Sequence, residues 1–349
     1  MQVDFERVKG RYLDDLLHQP EALQSTWSEL RASAVFEQIA QGCGPSRFER
    51  IVLTGMGSSY FVLHPLSIEL AEHGWTPLMV ETSELIHYYP HLLTPSTLAV
   101  VVSQSGQSAE TVRLLGLNAG KSTVIGVTNH ADSALSTQSA FTVLTAAGDE
   151  YSVSCKTYVS GVAALQLLAG ALCGTDCGAR LRILEEAAAK VESYLAGWKS
   201  HVAEFGELLH ETRNVFLVGR GPSLAAAETG ALIIKESTHV HAEGMSSAAF
   251  RHGPFEMLGP DVLVGVFAGE ARTRALNDGL FLDVQRTGAR AAFFAGDAEQ
   301  GACRLPEADE LLRPILEILP AQMMTLALAA ARNREPGKFE RASKITAIE

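Results

Sequence analysis

A short apolar run that breaks into glycine and then opens a helix begins each half of this chain. The first is Ile51-Val52-Leu53-Thr54-Gly55-Met56-Gly57-Ser58-Ser59; the second is Asn214-Val215-Phe216-Leu217-Val218-Gly219-Arg220-Gly221-Pro222-Ser223. Strand, glycine turn, helix N-terminus is the way a parallel α/β sheet makes an anion site. Free backbone N–H groups point out of the first helical turn, and the macrodipole adds partial positive charge. The first copy has a companion, Ser103-Gln104-Ser105-Gly106-Gln107-Ser108, which follows the apolar run LAVVV. Glycine lets the backbone close on a ligand, and serine hydroxyls donate hydrogen bonds without bulk. One such loop alone reads more simply as an ordinary turn with a serine N-cap. Two in the same half, both rich in serine, point to a phosphate-type site.

Around these loops, strand and helix patterns alternate. Strands are predicted at Arg50–Thr54, Pro77–Glu81, Thr97–Ser103, Ser122–Thr128 and Ala140–Thr145, with helices between them. That alternation predicts a mostly parallel sheet with helices on both faces. A long apolar helix follows from about Thr157 to Cys173, and residues 179–212 read as a connecting helix. The pattern then restarts at Asn214, with further strands at Val262–Phe267 and Arg290–Phe294, a weaker one at Ala302–Leu305, and a helix from Ile315 to Arg332. The expected fold class is α/β, two similar units in tandem. Its predicted divisions are N-terminal helices over 1–48, a first domain over 49–178, the connecting helix over 179–212, a second domain over 213–335 and a tail over 336–349. Near the start, Tyr12, Leu13, Leu16 and Leu17 share a helical face, and Pro20 breaks the pattern before a helix from Glu21 to Gln41.

The copies are not equal. Where the first has VSQSGQSAET the second has FAGEARTRAL, with Glu270 in the place of the serines. One working anion site per chain is therefore expected, in the first half. The net charge of −12 argues against nucleic acid or an anionic membrane as partner, since both need a basic face. Cys43, Cys155, Cys173, Cys177 and Cys303 have no paired metal spacing, although Cys173 and Cys177 could share a helix face. The N-terminus lacks an apolar signal core, and the longest apolar run, Gly161 to Cys173, is too short to span a bilayer. A cytoplasmic protein without metal or cofactor is expected.

The densest polar cluster lies in the second half: Lys235-Glu236-Ser237-Thr238-His239-Val240-His241-Ala242-Glu243, then Arg251-His252-Gly253-Pro254. Glu236 ends an apolar helix, where a carboxylate is unexpected on dipole grounds. Partial burial there would bring it toward general-base strength. His239 and His241 alternate as on a strand and so face the same side. Zinc ligation has no supporting spacing, and loop histidines with hydrogen-bonded partners are the competing reading. Lys344, in the closing PGKFERASKITAIE, is by itself a solvated surface charge; held beside a ligand, a lysine can form a Schiff base with a carbonyl.

GMGSS, SQSGQSAET, GDEYSVSCKTY, GRGPSLAAAETGALIIKE, HAEG, RHGP and SKITAIE occur in register along nearly the whole chain. With them the sequence resembles the double sugar-isomerase (SIS) domain family. It is most similar to the isomerase half of glutamine–fructose-6-phosphate aminotransferase and its glutaminase-lacking relatives. The resemblance implies two SIS units in a homodimer, with a sugar phosphate held by Gly57, Ser58, Ser59, Ser103, Gln104, Ser105 and Ser108. It puts Val153 and Ser154 or Cys155 near the sugar. It implies C1–C2 proton transfer by Glu236, ring opening assisted by His252 from the neighbouring subunit, and a Schiff base on Lys344.

The chain departs from the pattern in lacking a glutaminase domain with its Met-Cys start, in a SVSCKTY one residue shorter than the usual SVASTKTY, and in Met56 where a cysteine is usual. The first departure makes amine release the expected direction. The substrate would be glucosamine 6-phosphate or a 6-phosphorylated fructosamine. A simple aldose–ketose phosphosugar isomerase is the alternative enzyme, and a non-catalytic sugar-phosphate sensor is the alternative class.

Overall fold

The computed structural model describes residues 3–341, 343, 344 and 346. Of the closing SKITAIE motif, Ile345, Ala347, Ile348 and Glu349 lie outside the described residues, as do Met1, Gln2 and Ala342. The chain divides into two compact units. The first comprises residues 21–149, 156–186 and 342–349; the second comprises residues 1–20, 150–155 and 187–341.

The first unit is built on strands β1 (Arg50–Thr54), β2 (Pro77–Met79), β3 (Thr97–Val102), β4 (Thr123–Thr128) and β5 (Phe141–Leu144), ordered β2-β1-β3-β4-β5 and parallel throughout. The second is built on β6 (Asn214–Gly219), β7 (His241–Ser246), β8 (Val262–Phe267) and β9 (Arg290–Phe294), ordered β7-β6-β8-β9 and again parallel throughout. β3 and β8 are buried at every residue, as strands covered by helices on both faces must be. In the first unit Val52, Ala99 and Val101 pack with Leu114 of the helix Ala109–Asn118. In the second, Phe216, Val264 and Val266 pack with Phe250 and Leu280.

In both sheets the chain leaves the inner strand to one side and returns to its other side. β1 and β3, and likewise β6 and β8, are therefore neighbours whose following loops diverge. That is the topological switch point at which open parallel sheets bind ligands, beyond the carboxyl ends of the strands.

Several elements differ from the sequence-based expectation. β7 went unrecognised because HAEGMS is mostly half-exposed and shows no apolar alternation. Ala302–Leu305 is no strand: Gly301–Cys303 forms a 3-10 turn, and one bridge joins Ala295 to Arg304. The span read as a connecting helix is two helices, Cys177–Leu195 and Trp198–Leu208, and the second N-terminal helix is also two, Gln19–Ala32 and Val35–Gly42. Pro20 lies in the first turn of Gln19–Ala32, where its missing N–H has no helical partner to lose. Two helical stretches, Lys156–Cys173 and Glu310–Ala331, are long and apolar enough to cross a membrane, which corrects the shorter run read from sequence. Their apolar windows are 83% and 94% buried inside the fold, the burial expected of core helices.

Glu317, on the helix Arg313–Ala331, is fully buried, and burial pushes its carboxyl up to about 7 against the opposing Ser223 hydroxyl and Arg313. The folded state thus holds the proton more tightly than the unfolded chain. That contribution to stability is complete below the ordinary value of 4.5 and is lost as pH rises to about 7. The gap corresponds to roughly 3 kcal/mol. Urea denaturation of wild type and Glu317→Gln at pH 4.5 and 8 should show the wild type losing more stability than the variant by about that amount. Parallel pH profiles for the two proteins would contradict this.

Candidate functional site

At the first switch point the loop after β1 turns at Gly57, whose φ is +53°. Gly55 admits no side chain, because a Cβ there would lie 2.6 Å from the carbonyl oxygen of Ser59. The loop after β3 turns at Gly106, with φ +61°, where a Cβ would meet Ser133 Oγ at 2.2 Å. The two glycine turns bring Met56, Ser59, Val102, Ser103, Gln104, Ser105, Ser108 and Thr111 around a cavity of about 140 Å³, with Lys344 and Thr346 of the tail completing its lining.

The hydroxyls here are preset by the backbone. Ser103 Oγ accepts from Gly106 N at 3.1 Å, Ser105 Oγ accepts from Gln107 N at 3.2 Å, and Ser108 caps the helix Ala109–Asn118 by accepting from Thr111 N at 3.3 Å. Ser103 and Ser105, with a lone pair engaged this way, keep their O–H for another acceptor, while Ser108 Oγ also lies 2.9 Å from Thr111 Oγ1. Gln104 carries its side-chain amide 3.4 Å from His130 Nε2. The tail is held by a backbone bond: Ala109 N donates to the Thr346 carbonyl at 3.1 Å. It satisfies one of the N–H groups that a helix start leaves without a helical partner. Lys344 is half-buried and is the cation among the lining residues. A serine-lined hollow with one lysine, between two helix starts, has the chemistry to hold a phosphate and present an amine to what the phosphate carries.

Of the residues singled out in the sequence, this cavity brings together Ser59, Ser103, Gln104, Ser105, Ser108 and Lys344. Gly57 and Ser58 are half-buried in the same loop but outside the lining. Met56, Val102, Thr111 and Thr346 also line it and are not among the residues singled out in the sequence; Thr111, one turn past SQSGQS on the capped helix, is the legible one.

Val153, Ser154, Cys155, Glu236 and His252 belong to the second unit. Glu236 is half-buried in the last turn of the helix Leu224–Thr238. β7 lies so close to this helix that a Cβ on Gly244 would fall 2.4 Å from the Ala227 carbonyl oxygen. His239 is not on a strand with His241, as the alternation had suggested. It ends the helix in the left-handed conformation, φ +54°, with Nε2 3.2 Å from Arg334, while His241 opens β7 and faces Glu243 at 3.4 Å.

The segment 150–155 is fastened by the N-terminal helix Arg11–Leu17 and by residues near the end of the chain. Tyr151 N donates to Asp15 at 2.7 Å, Ser152 Oγ to the Gly337 carbonyl at 2.6 Å, and Cys155 N to Glu150 at 2.9 Å. Tyr12, fully buried and 3.3 Å from Thr325 Oγ1, sits within electrostatic range of both Cys155 and Glu236. Burial first, and then Cys155, push its phenol well above the ordinary value, so it stays a neutral O–H. The sequence showed Tyr12 only as part of an apolar face. Val153 and Cys155 are buried and Ser154 is half-buried. His252 is exposed, just after the short helix Ser247–Arg251, whose Arg251 pairs with Asp283 at 2.6 Å.

Among the described residues, one group of potential metal ligands converges: Glu69, His73 and Cys173, with ligand atoms within 4.8 Å of one another. Arg180 already binds both oxygens of Glu69, and burial pushes the Cys173 thiol up to about 12. As built, it is an ion pair beside a protonated thiol. Cys173 and Cys177 do not share a helix face, since one ends a helix and the other begins the next.

The profile of the family described as SIS domain matches residues 46–171 and 208–332. Two similar curated proteins are named glutamine–fructose-6-phosphate aminotransferase [isomerizing]. That of Pyrococcus horikoshii is 29% identical, over 98% of this chain and 59% of its own length; that of Thermococcus kodakarensis is 30% identical, over 97% and 58%. The chain thus spans a little under three-fifths of these relatives. Among solved structures, the C-terminal domain of glucosamine-fructose-6-phosphate aminotransferase from Francisella tularensis aligns with TM-score 0.80 at 21% identity, covering 92% of this chain and 96% of that one. Glucosamine-6-phosphate deaminase from Thermotoga maritima aligns with TM-score 0.78 at 17% identity, covering 97% and 100%. At such identities these structures establish a shared fold.

Proposed function

Because the chain belongs to the SIS domain family and carries two such domains in tandem, we propose that it is a phosphosugar isomerase-type enzyme that releases an amine from a 6-phosphorylated amino sugar or fructosamine. In this reading the phosphate enters the serine cavity and Lys344 forms a Schiff base with the open-chain ketose. Glu236 carries the proton between C1 and C2. With glucosamine 6-phosphate, the C2 proton moves to C1 and turns the C2 amine into a C2 imine. The Lys344 amine then adds at C2 and ammonia leaves, and water hydrolyses the resulting Lys344 Schiff base, giving fructose 6-phosphate and the free lysine. Val153 and Ser154 or Cys155 contact the sugar. His252, exposed in its own chain, assists ring opening in the neighbouring subunit of a homodimer.

The observation that carries this reading is the cavity itself: backbone-set serine hydroxyls with Lys344 in the same lining. A sensor would need the hydroxyls and not the amine. The names of similar proteins, an aminotransferase acting on fructose 6-phosphate and a glucosamine-6-phosphate deaminase, agree with an amino sugar phosphate as the substrate class.

Ser103→Ala and Ser105→Ala should each weaken hexose 6-phosphate binding by about 1–3 kcal/mol, the scale of losing a hydrogen bond to a charged group. Titration calorimetry reads this directly; unchanged affinity in both variants would put the phosphate elsewhere. A panel of 6-phosphorylated amino sugars and fructosamines, assayed for ammonia, free amino acid and hexose phosphate, identifies the amine. Isomerisation without amine release would select the aldose–ketose alternative.

A further inference from the structure

The pairing registers allow the two switch points to be matched residue by residue. Thr54 pairs with Val101 as Val218 pairs with Val266, and Val102 pairs with Val127 as Phe267 pairs with Phe294. Even the first bond beyond the strand repeats: Ser103 N donates to the Val127 carbonyl, and Ala268 N to that of Phe294. Gly57, Ser59, Gln104 and Ser108 therefore correspond to Gly221, Ser223, Gly269 and Thr273. Gly221 repeats the positive φ of Gly57, +57° against +53°. The second crevice thus keeps a glycine turn and two hydroxyls. Around Gly269 they converge: a Cβ there would lie 3.5 Å from Ser223 Oγ and 3.6 Å from Thr273 Oγ1.

That spot is occupied from within. Ser223 Oγ donates to Glu317 Oε1 at 3.0 Å, and the Gly269 backbone N–H also favours this carboxylate. Ser59, the counterpart of Ser223, instead lines the open cavity of the first unit. Glu317 has no exposed surface, and its second oxygen, Oε2, has no partner. Arg220, in the loop itself, and Arg313, one turn before Glu317, each hold a buried Nε–H without a partner. We propose that the second switch point is an oxyanion cradle plugged by the chain's own Glu317 carboxyl group, and that removing the plug opens it to a tetrahedral oxyanion such as phosphate. This would give a physical reason for the single working anion site per chain expected from the sequence, and it holds whatever reaction the first site supports.

The test compares full-length wild type with Glu317→Ala and Glu317→Ser. Inorganic phosphate is titrated calorimetrically, with sulfate as a second tetrahedral anion and chloride as the ionic-strength control. The variants should bind one more phosphate per chain than the wild type, and phosphate should raise their Tm further than it raises the wild type's. Because the count is a difference from wild type, it reads the same whether or not the serine cavity binds phosphate. Equal stoichiometry and equal Tm response in folded variants would overturn the proposal. If neither variant accumulates folded, refolding from urea with and without phosphate decides: recovery in phosphate supports the plug, and no recovery overturns it.

Discussion

Glu236→Gln is expected to abolish turnover while leaving hexose-phosphate affinity nearly intact. The substitution keeps the size and the hydrogen-bonding shape of the side chain and removes the proton-carrying function. General base catalysis contributes about 10²–10⁴-fold, so a loss of at least about a hundredfold in kcat is the minimum expected. Binding should survive because the serine cavity and Glu236 belong to different compact units of the chain. A kcat loss with unchanged KM would mark an interaction made in the transition state. Mixing Glu236→Gln with His252→Asn chains then tests where the histidine acts. If it serves the neighbouring subunit, one hybrid site per mixed dimer combines both intact groups and activity partly returns. No recovery after verified subunit exchange would place both residues in one chain's site or remove one from the chemistry. Full activity of Glu236→Gln would move the protein toward the sensor class.

What the sequence reveals of such a site depends on how local its causes are. The serine loops were legible because their chemistry is contiguous: the run that becomes β3, the glycine at positive φ and the N-cap Ser108 follow one another along the chain. A strand buried on both faces, such as Val262–Phe267, announces itself by a continuous apolar run. The edge strand Arg290–Phe294 still carries the apolar run AAFF, whereas β7, the other edge, is mostly half-exposed and has no such run. Contacts between distant segments left no pattern to read. Tyr12 beside Cys155 and Glu236, Asp15 beneath Tyr151, and the Thr346 carbonyl on Ala109 N are each set by tertiary packing. Glu317 was hidden for the same reason, since a glutamate in an apolar helix reads as a surface residue until its burial is seen.

The lysine carries the other large expected effect. An amine attacks a carbonyl as the neutral base and then holds the substrate as an iminium, which draws electrons from the carbon losing its proton. Chain ends are ordinarily weakly held. Here the tail is fastened by the Thr346 carbonyl on Ala109 N, two residues beyond Lys344, so the amine is presented to the cavity from an anchored segment. Lys344→Ala should therefore lose most activity, about a hundredfold or more if covalent catalysis is removed together with its positioning. Lys344→Arg separates the two roles of the residue. It keeps a cation for the phosphate but cannot form the Schiff base, so it should retain more binding than Lys344→Ala and no more turnover. Borohydride added with substrate should leave a covalent adduct, detected by mass, on wild type and on neither variant. Truncation after Arg341 removes both the amine and its anchor and should be as inactive as Lys344→Ala. Full activity in the truncated protein would exclude the lysine from the reaction, whatever the serine cavity binds.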